Sequence, residues 1–506
     1  MSTIRKLQNR LSLSSWSNSF TRKNSVKSGQ IRPSSVLSTP AAQAGGVEST
    51  NNNNASTTQV SPPLTTRRSA TTSTKPSTSD LISLAATITR ETEKLDKYMK
   101  ENGNPAPSFD VDAPMDFPKL PADMKKAREE IVRATKELGD LVTGPREGLR
   151  WMAWDHNNSL SLQAIYHFKI AKSFPIHETA TYEQISKAVG LDEVNVRRFM
   201  RHAMTNRIFR EVNPDVVAHT AASRVLAEDP VINDWIGFCT DDILPAAANV
   251  TRALTEYPSA SEPTQTGFQL ANNTTNVEPM FVTFGKSPLR AKRMSGAMAS
   301  LTGGEGYELS YLLDNYDWAS LNASKATIVD VGGSIGFVCI DLAKRYPDLK
   351  FVVQDLPKTI DSAPKLEGDL AQRITFQAHD FFSPQPVKNA DVYLFRWIFH
   401  NHSDKYASKI LSALIPSMKK GARVLINDHC LRDGFGEESM WDEKIIRTMD
   451  LVMLTLLNAT ERSERQYKTL FENTHKDLKF AGVKRIEGCR MSIVEAVWEG
   501  EDYGGA

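Results

Sequence analysis

Short apolar runs and stretches of helical periodicity alternate along the second half of the chain. From Lys325 onward the apolar runs are Ala326 to Val331, Lys350 to Gln354, Ile374 to Phe376, Asp391 to Trp397 and Val424 to Asn427, with a helical pattern from Phe337 to Tyr346 between the first two. That alternation is the signature of a doubly wound sheet, because each crossover between parallel strands needs a helix. The pattern predicts an α/β unit over residues 321–506, with a mostly parallel sheet and helices on both faces.

The first half follows other periods. Leu84, Ile88, Leu95 and Met99 recur at helical spacing after Ser79 or Asp80, either of which can cap a helix, and the pattern ends at Gly103 with Pro105 beyond. A second helix is expected from Ala122 to Leu141, closed by Gly144-Pro145. These form a helical segment, 79–145. Over 146–257 a helix from Tyr182 to Val189, a Gly190-Leu191 turn, a helix from Asp192 to Met204 and β-rich pieces Ile208 to Val212 and Val216 to Thr220 spell a helix-turn-helix with a wing. Residues 258–320 read as a linker, Thr/Asn/Ser-rich from Pro258 to Pro279, followed by a helix from Leu289 to Leu301 that carries Met294 and Met298 on one face.

Composition narrows the function. Residues 1–78 are rich in Ser, Thr, Asn and Pro, so they cannot offset the entropy of folding and read as a disordered tail. Their basic residues, Arg5 to Arg32, precede the first acidic one, Glu48, and Ile4, Leu7 and Leu11 share a helical face, which also suits a mitochondrial transit segment. Lys plus Arg number 61 against 60 acidic residues, so the net field gives no reason to expect nucleic acid or membrane as a partner. Arg197, Arg198, Arg201 and His202 on the second winged helix do suit DNA, but Asp192, Glu193, Glu211 and Asp215 surround them. Four dispersed cysteines without a C-x-x-C pair point to a reducing compartment and to neither disulfides nor zinc. No apolar stretch reaches the roughly 18–20 residues of a membrane span. The expectation is a cytoplasmic protein with a small-molecule ligand.

The chemistry gathers at the ends of the apolar runs. Ala326 to Val331 leads into Gly332-Gly333-Ser334-Ile335-Gly336 and a helix, and the next run ends in Asp355. Glycines let the backbone turn sharply beside a ligand, and an acid at the end of the neighbouring strand accepts hydrogen bonds from ribose hydroxyls. The combination predicts a nucleoside site without separating nicotinamide from S-adenosylmethionine. The same five residues match G-x-S-x-G, which would make Ser334 a nucleophile, although no oxyanion-type glycine run precedes it. G-x-G-x-x-G fails at Ser334. His400-x-His402-x-Asp404 begins a metallohydrolase pattern, but Lys405 stands in the last ligand position, and no metal is expected.

The strand ending in Trp397-Ile398-Phe399-His400-Asn401-His402-Ser403-Asp404 resembles the W-I-x-H-D-W-S-D motif of the plant caffeic acid O-methyltransferase family and its fungal secondary-metabolite relatives. The resemblance runs from about residue 80 to 500 and is strongest from Val329 to Glu461. It implies a Rossmann-like methyltransferase unit, S-adenosylmethionine as cofactor, and an N-terminal winged-helix-like domain that joins a homodimer. It further implies that Gly332 and Gly333 contact the methionine portion of the cofactor and Asp355 its ribose. Asp380 and Phe381 flank the adenine, with Arg396 in place of a lysine. His400 takes the role of base, bracketed by Asp428 and Glu461. Met453, with Met294 and Met298, holds the acceptor ring.

Chemistry asks for the same residue types. A phenol near pKa 10 is mostly protonated at neutral pH, whereas an imidazole near 6.5 can accept its proton if a carboxylate fixes the tautomer. The expected reaction is methyl transfer to a hydroxyl of a small aromatic metabolite. Ser334 for a glycine, Asn401 for an aspartate, His402 for a tryptophan and Asp428 for a glutamate depart from the family pattern. These departures leave a second expectation: a catalytically impaired, methyltransferase-like regulator that binds DNA or a partner through the winged region.

Overall fold

The computed structural model describes residues 80–502. The tail read as disordered, with its basic stretch, lies outside the described residues. Helices Asp80–Glu101 and Ala122–Thr143 pack against each other. Thr181 and Gln184 form a capping box that starts helix Tyr182–Val189, and Gly190, in the left-handed conformation, ends it. Asp192 then caps helix Glu193–Thr205 by accepting the Val194 N–H. Strands β1 (Thr179–Thr181), β2 (Arg210–Asn213) and β3 (Val216–Ala218) form an antiparallel wing in the order β1-β3-β2. Ile185, Val196, Met200, Phe209 and Val217 make the core between helices and wing.

The arginines of the second winged helix are occupied within this unit. Arg197 pairs with Glu193 at 2.6 Å and Asp215 at 3.1 Å, and Arg201 pairs with Glu211 at 2.8 Å. Both guanidinium groups also lie over the Tyr182 ring. A phosphate backbone would have to displace these partners to reach them.

Between Pro258 and Pro279, where composition predicts only a connection, the chain folds a short helix, Gly267–Asn272. Phe268 is fully buried and stacks on Phe284 at 5.3 Å, while the Thr266 hydroxyl caps the helix at the N–H groups of Phe268 and Gln269. Two buried polar residues, Thr266 and Gln269, satisfy each other, which is why polarity alone misreads the segment as loop. Helix Pro288–Thr302 packs beside it and joins helix Met440–Leu457 in one apolar cluster.

The catalytic unit is a seven-stranded sheet. Strands β4 (Thr327–Val331), β5 (Lys350–Asp355), β6 (Ile374–Ala378), β7 (Val392–Arg396) and β8 (Arg423–Asp428) run parallel. After the short parallel pair β9 (Cys430–Leu431) and β10 (Arg462–Ser463), strands β11 (Leu478–Arg485) and β12 (Ser492–Trp498) close the edge. There β12 is antiparallel to both its neighbours. The order is β11-β12-β8-β7-β4-β5-β6. One face buries Val329, Tyr393, Phe395, Val424 and Ile426, and the other Ile328, Val353, Leu394 and Leu425. Each fully buried side chain of this kind stabilises the fold by about 1.5–3 kcal/mol. The chain moves outward from β4 through β5 to β6 and then restarts at β7 on the other side. A crevice therefore opens between β4 and β7 at their carboxyl ends, where ligands of such sheets bind. Among the described residues no helix is long and apolar enough to cross a membrane.

Candidate active site

The turn after β4 is shaped by what a side chain would strike. Gly332 has φ 76° and its N–H donates to the Gln354 carbonyl at 2.8 Å. A Cβ there would lie 2.5 Å from Cδ1 of Ile398. Ser334 holds φ 55°, a conformation costly for a residue with a Cβ, and its backbone N–H donates to Asp355 Oδ2 at 2.9 Å. The Leu356 N–H donates to the other oxygen, Oδ1, at 2.8 Å. Burial raises the Asp355 pKa while these N–H groups oppose the shift. No histidine is bonded to the Ser334 hydroxyl among the described residues, so the nucleophile reading finds no base.

A cavity opens over this turn. It is lined by Gly332, Asp355 and Asp380, by the rings of Phe381, Phe382 and His402, and by the apolar Pro263, Pro279, Phe281 and Leu457. A bare glycine cradle, a strand-end acid with free lone pairs and a flat aromatic wall fit the amino acid, ribose and base of a nucleoside cofactor. The His402 ring packs edge-on to Phe381 and Phe382, and burial, with Arg462 nearby, lowers its pKa to about 3. It stays neutral, an aromatic wall like the tryptophan it replaces.

Other expected residues sit elsewhere. Gly333 lies behind the turn, where a Cβ would meet the Asp330 carboxyl. Neither Arg396 nor His400 is among the residues that line the cavity, although Ile398, Asn401 and His402 beside His400 are; Arg396 Nε donates to Asn427 Oδ1 at 2.9 Å and Nη2 reaches the Tyr307 carbonyl at 3.3 Å. Arg396 and Asn427 are register partners across β7 and β8, so the nearest acceptor is beside it rather than in front of it. Met294 and Met453 are buried with Phe238 and Phe284, and Met298 packs on the same cluster. All three stand one layer behind the wall that Phe281 and Leu457 present to the cavity.

His400 follows a strained corner, Trp397 at φ 60°, and sits in a 3-10 turn, Phe399–Asn401. Its Nδ1 is 2.9 Å from Glu461 Oε1, whereas Asp428 Oδ2 accepts its backbone N–H at 3.1 Å. The two acids expected to bracket the imidazole thus divide the work, one holding the ring and the other the main chain. Because a carboxylate only accepts, the proton of this ring belongs on Nδ1, which leaves the Nε2 lone pair available. Burial pulls the His400 pKa down, but the charge and hydrogen bond of Glu461, with the charge of Asp428, outweigh it and raise the pKa above 6.5. Burial lifts Asp428 to about 6. For Glu461, burial is overcome by His400 and His429, and its pKa falls to about 2.

Sequence reasoning passed over two residues here. Arg462, fully buried, donates to the carbonyls of Phe399 at 2.8 Å and His402 at 2.7 Å and to Asp404 at 2.8 Å, clamping the loop that carries His400. Its neighbour Glu461 drew attention as an acid, and no reading was made of the arginine beside it. His429 follows Asp428 and bonds the same Glu461 oxygen through Nδ1 at 3.1 Å. The donor atoms of His400, His429 and Glu461 lie within 4.8 Å of one another, a grouping able to hold a metal ion. It is a different set from the H-x-H-x-D spacing of the sequence, and its hydrogen bonds already account for the convergence.

Known proteins resemble the chain in the same places. Residues 278–475 match the O-methyltransferase domain family. A chlorophenol O-methyltransferase from Trichoderma longibrachiatum is 50% identical over 424 residues, covering 83% of this chain and 91% of its own. O-methyltransferase pyvH from Aspergillus violaceofuscus is 39% identical over 435 residues, 84% of this chain and all of its own (100%). Among solved structures, OxaC in complex with SAH and oxaline superposes with a TM-score of 0.62 at 22% identity, over 82% of this chain and 100% of that one.

Proposed function

The chain belongs to the O-methyltransferase family, with S-adenosylmethionine as methyl donor, and we propose that it methylates the hydroxyl of a small phenolic or polyketide-like secondary metabolite, with His400 as general base. One arrangement carries this reading. Glu461 holds Nδ1 of His400 and leaves Nε2 free, on a loop whose Ile398 packs against the Gly332 turn. In this assignment Gly332 and Asp355 hold the methionine and ribose portions of the donor, and Asp380 and Phe381 flank its adenine. The bound donor supplies a sulfonium-activated methyl group. His400 Nε2 then takes the hydroxyl proton as the acceptor oxygen attacks, and Glu461 steadies the imidazolium that forms. Alignment supplies the rest of the acceleration.

The acceptor enters among the apolar Pro263, Pro279, Phe281 and Leu457, which suit an aromatic ring better than a charged one. The Trichoderma relative is named for chlorophenol, and ring chlorines acidify a phenol. A base matters less as its substrate loses the proton more readily. Transfer from labelled S-adenosylmethionine to a series of phenols should therefore fall about 10²–10⁴-fold in His400→Gln for an ordinary phenol, and by less as the phenol becomes more acidic. An equal rate in wild type and His400→Gln on the least acidic phenol removes the base. Donor binding with no transfer to any phenol favours the regulator.

We also infer a homodimer. Val142, Leu149, Trp151, Met152 and Trp154 are each 57–67% exposed on adjoining helices of the N-terminal part, Ala122–Thr143 and Pro145–Trp154. A monomer seldom exposes so large an apolar cluster. Light scattering should give twice the chain mass for wild type and a single mass for Trp151→Glu/Trp154→Glu; a monomeric wild type ends the inference.

A further inference from the structure

Beside the base lies a second buried histidine that the reaction above does not use. His429 is 1% exposed at the end of β8. Its Nδ1 is 3.1 Å from Glu461 Oε1, and its Nε2 is 3.2 Å from the Tyr307 hydroxyl. The Trp397 ring lies against both histidines, 4.9 Å from His400 and 5.1 Å from His429.

The protons in this chain can be assigned. Glu461 is ionised, so it accepts from both Nδ1–H groups at one oxygen, while Oε2 has no hydrogen-bond partner among the described residues. In the tautomer with its proton on Nδ1, His429 accepts at Nε2. Tyr307, kept protonated by burial, is the donor there. The order is Tyr307 O–H to His429 Nε2, His429 Nδ1–H to Glu461, and Glu461 from His400 Nδ1–H. The Tyr307 carbonyl in turn accepts from Arg396, which pins segment 303–309 to the end of β7.

We propose that His429 is a positioning residue that shares Glu461 with His400, aiming the carboxylate while limiting how strongly it holds the imidazolium, and that Tyr307 fixes His429 in the tautomer this requires. The proposal rests on the reading of His400 as the base. The charged and titratable groups around His400 are Glu461 and Arg462 from the β10 segment, Asp428 and His429 from β8, and His402 on its own loop. Of these, His429 alone competes for the oxygen that holds the ring. Without it, Glu461 has one donor to serve, and the protonated form of His400 gains.

The test uses the full chain, wild type and three variants: His429→Phe, which cannot bond, His429→Gln, which can donate and accept at similar reach, and Tyr307→Phe. The His400 ring is titrated by histidine-labelled nitrogen NMR, and kcat is measured against pH with a phenol acceptor. His429→Phe should raise the His400 pKa and lower kcat at neutral pH by up to about tenfold, the loss of free base that a rise of about one pKa unit brings. His429→Gln should restore both, Tyr307→Phe should shift the pKa upward by less, and KM for S-adenosylmethionine should not move. A His400 pKa unchanged or lowered in folded His429→Phe overturns the proposal, as does a folded His429→Gln that behaves like Phe. An NMR shift as expected without any change in rate leaves the shared carboxylate standing and removes the base assignment instead.

Discussion

The two sides of the crevice are built by different means. On the β4 and β5 side the site is made largely of main chain: glycines without side chains, and the N–H groups of Ser334 and Leu356 that hold Asp355. On the β7 and β8 side it is made of buried charge, with His400, Asp428, Glu461, Arg462 and His429 brought together from three stretches of sequence. A nucleoside is recognised by shape and by fixed donors and acceptors, so rigid backbone serves it. Removing a proton needs a group whose charge changes during the reaction, which only side chains with matched partners provide.

The largest effect should come from breaking the charged side. Glu461→Gln leaves the nucleoside end intact, so kcat should fall about 10²–10⁴-fold with KM for S-adenosylmethionine unchanged. The sign of the pH dependence also follows. With His400 as the proposed base its free form is the active one, and Glu461 raises its pKa, so wild-type kcat/KM should climb with pH through a value above 6.5. Without that charge only Asp428 still opposes burial, so the midpoint should move down in pH while the plateau also falls. A variant with the wild-type midpoint would mean that Glu461 does not set the base.

The backbone side should respond in binding before chemistry. Gly332→Ala puts a Cβ 2.5 Å from Ile398 at φ 76°, at a cost of at least about 1–2 kcal/mol from conformation alone. The expected result is a lower Tm and a KM for S-adenosylmethionine raised about tenfold, an energy of about 1.4 kcal/mol, with kcat changed less. Ile398→Ala in the same chain should recover part of that loss. If kcat falls and KM does not, the division between the two sides is wrong.

The same difference decides what could be read from the sequence. The strand–turn–acid unit is local: Val331, Gly332 and Asp355 announce themselves by spacing, and the structure puts Gly332 and Asp355 on the cavity. The alternation of runs likewise gave β4 to β8, but not the antiparallel β11 and β12, whose pairing depends on a partner far along the chain. His400, Asp428 and Glu461 were found through a family motif, and no spacing between them could say that one acid takes the ring and the other the backbone. His429 and Arg462 went unnoticed because a buried histidine or arginine looks the same in sequence as an exposed one. Arg396 and the three methionines show the converse. They were placed by motif or by helical face, and spacing could not foresee their neighbours, Asn427 for Arg396 and an apolar cluster for the methionines.

The smallest expected effect tests whether the backbone side carries strain that the nucleoside end requires. Ser334 stands at φ 55° where the family has glycine, and its part in the site is its N–H on Asp355. Ser334→Gly removes the left-handed penalty of about 1–2 kcal/mol but adds roughly 0.4–1 kcal/mol of unfolded-state entropy, so stability should rise by no more than about 1.6 kcal/mol. Ser334→Val, β-branched and worse suited to this conformation than serine, should be less stable than wild type. Thermal unfolding of the pair should thus bracket the wild type, with KM for S-adenosylmethionine held in the glycine variant because the N–H remains. A glycine variant that is less stable and binds the donor worse would mean that the serine side chain, and not its backbone, holds this corner, and the contrast between a main-chain side and a charged side would then fail at the turn itself.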